Sequence, residues 1–322
     1  MAANPKSPVE SGTGRERSHV YHAEAYVLSG QLEHPIKQTI EPYGRVALET
    51  RRESLVTQRV GETNVEGLIS FKSGHTRVVG TQVRQKTDIF GNDHAGWVTL
   101  STSVLEGFNV VDILTADRVV AQISTEHPMK HGHVPKVTFL GTRFENLRIG
   151  GYPVEVELDL GICGNKPEGD RPYLEDIDFL DRVERQLDGI ADAKGLPETL
   201  EKKYGAEIAY IDDLKQRANQ GAHAGGNGYS KLQLKCSLVK SIGPIPIPGV
   251  RTFGNLIFIP NFGTVALAEV EVGVRQSPCD FPETEPDSNY FTLNMMKTHL
   301  GCPTAGPLNG PVVYANGHGS PG

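Results

Sequence analysis

Apolar and polar positions alternate with a period of two through most of the first half of the chain. Val154, Val156 and Leu158 alternate with Glu155 and Glu157, the signature of a strand with one dry and one wet face. Residues 21–28, 39–48, 67–71, 76–79, 97–105, 110–114, 118–124, 136–140 and 144–149 read as further short strands. Glycine (36 residues) and proline (21) fall between them rather than in runs, as turns do. One phrase occurs twice. Ile40-Glu-Pro-Tyr-Gly-Arg-Val-Ala-Leu48 and Ile259-Pro-Asn-Phe-Gly-Thr-Val-Ala-Leu267 share Ile, an aromatic, Gly and Val-Ala-Leu at the same spacing. Both predict a turn feeding a strand. The expected fold is mainly β: an antiparallel β-sandwich or prism built from similar pieces.

The period changes near Lys166. Leu174, Ile177, Leu180, Val183, Leu187 and Ile190 recur at three and four residues, which predicts an amphipathic helix. Gly195 ends it, and Pro197 opens a second with Leu200, Tyr204, Ile208, Ile211 and Leu214 on one stripe. Residues 166–220 hold 14 Asp or Glu against 9 Lys or Arg, a net −5 within the −7 of the whole chain. The organisation expected is therefore a flexible arm at 1–18, a β-rich region at 19–165 and an acidic helical hairpin inserted at 166–220. A second β-rich region at 221–276 completes the same domain. From Ser277 to Gly322 the chain is Pro, Gly, Asn and Asp with little periodicity, read as an extended C-terminal tail along the surface.

At 322 residues, 38% hydrophobic and 22% charged, the chain can bury a large single core. The net charge of −7 and the lack of a concentrated basic face speak against nucleic acid, whose phosphates need one. No run of residues approaches the ~20 apolar positions of a membrane-spanning helix. The start Met-Ala-Ala-Asn-Pro-Lys-Ser-Pro has no apolar core of a secretory signal, so the sequence by itself suggests the cytoplasm. Cys163, Cys236, Cys279 and Cys302 are widely spaced, which favours free thiols; Cys279 to Cys302 is the most plausible bridge if oxidised.

The stretch Leu114-Thr-Ala-Asp-Arg-Val-Val-Ala-Gln-Ile-Ser124, followed by Thr138 to Leu158 with Phe144-Glu-Asn-Leu-Arg-Ile-Gly-Gly-Tyr-Pro-Val154, resembles bacterial choice-of-anchor P type domains. In those domains a strand of the kind Ile259 to Leu267, with Glu269, follows. The resemblance covers about half of the chain and rests on strand and turn residues. It implies a β-rich, surface-associated protein and carries over no catalytic residues.

The best metal-like cluster is Glu126-His-Pro-Met-Lys-His-Gly-His133. His131 and His133, one residue apart, project to one side of a strand, and His127 could approach across a turn to give three nitrogen ligands for a divalent metal. Pro128, Gly132 and Pro135 make an exposed loop the competing reading. The single Trp97, with Phe108, could form a sugar-stacking platform, or simply fill the core. Asp112 with Asp117, and Glu155 with Glu157, are carboxylate pairs more in keeping with solvated strand faces than with acid–base work. No Gly-x-Ser-x-Gly elbow and no phosphate-cradling loop occurs. The expected function is a non-catalytic structural, self-assembling or partner-binding protein, associating through the C-terminal tail and β edges and needing no cofactor. A metal-dependent enzyme and a carbohydrate-binding module are the alternatives.

Overall fold

The computed structural model describes residues 18–34, 37–87, 93–129, 134–168, 171–221, 233–275, 288–301 and 305–320. The chain opens with β1 (Ser18–Tyr26), β2 (Leu28–Leu32), β3 (Gln38–Tyr43) and β4 (Val46–Thr50). There follow β5 (Ser54–Val60), β6 (Thr63–Val65), β7 (Ile69–Phe71) and three long strands, β8 (Ser73–Thr87), β9 (Asp93–Val110) and β10 (Leu114–Pro128). Short strands come next: β11 (Lys136–Thr138), β12 (Arg143–Glu145), β13 (Arg148–Ile149), β14 (Tyr152–Pro153) and β15 (Val156–Leu158). A single 3-10 turn, Tyr173–Glu175, leads into helices α1 (Ile177–Ala191) and α2 (Glu198–Asn219). The chain closes with β16 (Gln233–Ser237), β17 (Val239–Ile242), β18 (Arg251–Phe253), β19 (Leu256–Ile259), β20 (Gly263–Arg275), β21 (Ser288–Leu300) and β22 (Gly306–Ser320).

The strands form two ten-stranded antiparallel sheets and a small β15–β17 pair. Sheet A runs β18-β19-β20-β21-β22-β1-β4, with β16 on β20 and the β2–β3 pair on β22. Sheet B runs β14-β13-β10-β9-β7-β6, with β8 and β5 continuing from β9 and β11 and β12 lying on β10. The alternating residues Tyr21, Ala23 and Ala25 of β1 are buried and face β8 and β9 across the sandwich. The fold is therefore a mainly antiparallel β-sandwich with a two-helix insertion.

Facing sheets ordinarily lie about 10 Å apart. Here they come much closer along β1. The Ser101 hydroxyl donates to the Glu24 carbonyl (2.8 Å) and Ser103 to that of Tyr26 (2.9 Å). Thr76 donates to the Gly44 carbonyl at the β3–β4 corner (2.6 Å). Small residues permit this approach. A Cβ on Gly80 would sit 2.6 Å from the Tyr21 ring, and one on Gly74 would sit 2.6 Å from Val27.

The helical insertion packs against sheet A, with α1 against β16 and the 3-10 turn against β20. Asp176 caps α1 by accepting from the Phe179 N–H. Phe179, Leu180, Val183, Leu187 and Ile190 then form one buried stripe. Tyr173 packs edge-on against Phe291 of β21, takes the Asn289 side-chain oxygen on its N–H and donates its hydroxyl to Pro135.

Three expectations change. Residues 288–301 and 305–320 are not a surface tail: β21 pairs with β20 and β22 along its length, and β22 pairs with β1. Thr292, Asn294 and Lys297 lie on the outer side, whereas Asn289 and Thr298 are buried, and Gly, Asn and Pro dilute the usual alternation further. Residues 110–114, expected as a strand, form the tip of the β9–β10 hairpin, with Val111 and Asp112 at positive φ (44° and 56°) and Asn109 bonded to Asp112. The repeated phrase gives two different structures. The second copy is a tight β19–β20 hairpin, whereas in the first β3 pairs with β2 and β4 with β1. Neighbours, rather than the turn itself, decide the pairing.

Gly80→Ala is expected to destabilise the fold by about 1–3 kcal/mol, because the new methyl overpacks Tyr21. Gly61→Ala, whose Cβ meets nothing within 4 Å, should stay within roughly 0.5 kcal/mol. Urea unfolding of both variants measures the difference.

Candidate functional site

Strand β20 changes neighbour part-way along. Up to Ala266 its partner is β19, and from Glu269 it is β16. Between them Ala268 adopts positive φ (48°), a bulge that costs energy in a non-glycine residue. Buried polar groups lock it in place. The Asn255 amide donates to Leu267 O (3.1 Å), the Ser237 hydroxyl to Leu267 O and Ala268 O (2.9 and 3.1 Å), and the Leu238 N–H to Ala268 O (2.9 Å).

A cleft lies at this switch between the helices and the sheet edge. Lys203, Tyr204 and Glu207 of α2 face Lys235, Cys236 and Glu269 of the sheet across it. Burial pushes the Tyr204 hydroxyl up to about 12, with the Glu269 and Glu207 carboxylates adding to the effect. Gln186 of α1 closes the β16 edge: its amide donates to Ser237 O (2.9 Å) and its oxygen accepts from Ser237 N–H (2.8 Å).

Two of its lining residues, Lys235 and Glu269, belong to the outer face of sheet A, where cross-strand pairing sets residues from four strands side by side. One row is Lys235, Glu271, Thr292 and Tyr314; the next is Gln233, Gly273, Tyr290 and Asn316. Tyr290 leans over Gly273, where a Cβ would come within 2.3 Å of the ring. Its hydroxyl donates to Gln233 (3.1 Å) and to Glu271 (3.3 Å). Tyr314 stacks beside it, ring centroids 6.0 Å apart. Lys235 lies 3.6 Å from Glu269 and 3.7 Å from Glu271, and Lys297 lies 3.5 Å from Glu269. These separations are longer than good hydrogen bonds, so the charged groups keep capacity for hydrogen bonds to a bound molecule.

The sequence-predicted site residues fall elsewhere. His127 is not in an exposed loop: it sits in β10, 2% exposed, within an aromatic cluster between the sheets. Its ring centroid is 4.7 Å from that of His19, which stacks on Trp97 at 5.0 Å and meets Tyr21 edge-on at 4.9 Å. His131 and His133 lie outside the described residues. Trp97 is 7% exposed, so its faces pack against the interior rather than meeting solvent. Among the described residues no group of three or more His, Cys, Asp or Glu is placed to hold a metal ion.

Three of the four paired carboxylates are held locally. Asp112 is bonded to Asn109, Asp117 to Asn146, and Glu157 to Lys240 and Ser241. The Lys240 and Ser241 bonds hold the Glu157 carboxyl below its usual range. Cys163 and Cys236 are buried free thiols; Cys279 and Cys302 lie outside the described residues. No helix among the described residues is long and apolar enough to cross a membrane.

Sequence reading missed Tyr290 and Tyr314, since nothing in the chain marks which strands become neighbours or which glycine lies beneath a ring. The one available signal was the alternation Tyr290, Thr292, Asn294 against Phe291, Leu293, a strand pattern inside the presumed tail.

Fold and surface together define a β-sandwich protein with a helical insertion and a polar, tyrosine-bearing sheet face. The chain belongs to the family described as Domain of unknown function (DUF8256), whose sequence profile matches residues 19–273. That stretch ends inside β20, although β21 and β22 lie between β20 and β1 in sheet A. No curated protein and no solved structure matches the chain.

Gln186→Ala should destabilise the protein by about 1–3 kcal/mol in urea unfolding, because it leaves the Ser237 N–H without its acceptor. Burial pushes the Cys163 thiol up to about 12 and that of Cys236 well above its ordinary value. Since the thiolate is the reactive form, peptide mapping after iodoacetamide treatment at pH 8 should find both unlabelled in native protein and labelled in denaturant.

Proposed function

We propose that this protein is a non-catalytic β scaffold that acts by binding, and that the outer face of β16, β20, β21 and β22 is its binding surface. The observation that carries the reading is the stacked Tyr290–Tyr314 pair, set on a regular sheet beside a loose Lys235–Glu269–Glu271–Lys297 network. Aromatic rings with polar handles are favoured contact residues. Sheet strands hold them more rigidly than loops would, which lowers the entropy cost of binding. Because β21 and β22 are built into the sandwich, association through a free C-terminal tail is replaced by association through this face. The resemblance to choice-of-anchor P type domains supports a cell-surface setting for such binding.

Hydrogen-exchange mass spectrometry on the full chain, with polysaccharides, polypeptides and lipid vesicles presented in turn, tests the reading. Protection is expected in peptides covering residues 290–297 and 312–316. Protection confined to other surfaces, no protection by any of the three classes, or chemical turnover of a bound molecule would count against it.

A further inference from the structure

We propose that β5 is the junction of a two-fold dimer, in which it pairs antiparallel with β5 of a second copy of this chain, centred on Thr57, and joins the two B sheets edge to edge. The proposal concerns sheet B and stands independently of the binding face on sheet A.

Backbone chemistry singles out this strand. An edge strand turns unpaired N–H and C=O groups outward, and proteins usually blunt such edges. Among the described residues most edges are blunted. Strands β6, β11, β12 and β18 have three residues each, and β4 has five. Pro42 lies in β3 and Pro153 ends β14, while Gln186 covers the edge of β16. Strand β5 is different. It is seven residues long, holds neither proline nor glycine, and keeps an unbroken register with β8 from Ser54–Gly80 to Val60–Gly74. Its single charge, Arg59, sits one residue from the end. Among the described residues no strand other than β8 pairs with it.

The sequence of β5 suits pairing with itself. Leu55, Thr57 and Arg59 are exposed on the outer face, Leu55 at 58%. Pairing about Thr57 sets Leu55 against Arg59 of the second copy, whose aliphatic stem covers the leucine while its guanidinium stays in water. Thr57 meets itself, a favoured cross-strand pair. The two Arg59 residues then lie four positions apart, ~14 Å along the strands and beyond the ~8 Å over which charges act at physiological salt. Centring on Gln58 instead halves that distance and brings the arginines within reach of each other. About Thr57 all seven residues of the strand find partners, whereas a one-residue shift either way leaves two without. Because the same surface serves on both copies, the contact closes at two chains. One pair of strands buries little area, which makes the dimer reversible.

Sedimentation velocity of the full chain from about 1 μM to about 200 μM tests the proposal by mass action. The weight-average mass should rise from monomer towards dimer and not beyond. Leu55→Lys sets a second cation against Arg59 and should weaken association by about tenfold or more. Leu55→Glu offers Arg59 an opposite charge and should associate at least as tightly as the wild type. Thr57→Cys places two thiols opposite each other at the axis, with Cβ atoms about 5 Å apart, so mild oxidation should link two chains. Arg77→Cys, one strand further in on β8, should stay unlinked under the same treatment. All three positions are exposed, so each variant keeps the fold. A strict monomer across the whole range overturns the dimer, as does association that lysine and glutamate at position 55 weaken alike. Linking of Arg77→Cys as readily as Thr57→Cys would place the contact elsewhere and overturn it too.

Discussion

The close contact of β1 with β8 and β9 is the constraint on which the sandwich depends. A serine side chain and one hydrogen bond span far less than the usual separation of two sheets, so Ser101 and Ser103 can reach the β1 carbonyls only if the backbones nearly touch. Gly80, Gly74, Ala23 and Ala25 make the space, and Tyr21 fills what remains over Gly80. A carbonyl that bonds a hydroxyl across the interface is satisfied without water. The contact also fixes the relative position of the sheets, because a hydroxyl bonded to a particular carbonyl leaves little room for sliding. At the His19 end of β1 the same gap holds the stacked His19–Trp97 rings and the tilted His19–His127 pair.

Away from that contact, the apolar side of β16, β20 and β21 has to be covered. The acidic hairpin does this with one buried stripe from each helix, anchored by Tyr173 on Phe291 and by Gln186 on the β16 edge. Many of its acidic residues, such as Asp178, Asp188 and Glu201, are exposed, where charge costs little, while Glu207 lines the cleft. The helices thus complete the second layer of the sandwich, and the cleft is the seam where that layer meets the bulge at Ala268.

The outer face of sheet A follows from the order of its strands. Strands β21 and β22 enter between β20 and β1, so Tyr290, Thr292 and Tyr314 come to lie beside Gln233, Lys235 and Glu271, which are separated from them by up to about eighty positions in the chain. A matched family region that stops at Gly273 contains the first and last of these neighbours but not the strands that join them. The face exists only in the closed sheet.

Local pattern alone determined that this chain is mainly β, that two amphipathic helices interrupt it after residue 166, and where many turns fall. Those features depend on periodicity, capping and the torsional preferences of Gly and Pro within a few residues, as at Gly195, Pro197 and Asp176. Tertiary structure decided the rest. Val110 to Leu114 is apolar enough for a strand, yet it became a hairpin tip because the ladder pairs Val110 with Leu114. Trp97 and His127 left the list of exposed candidates because alternation within β9 and β10 turned both inward, towards His19. Tyr290 reclines on Gly273 because sheet pairing brings residues on different strands into register. No local preference encodes that contact; it arises from which strands become neighbours.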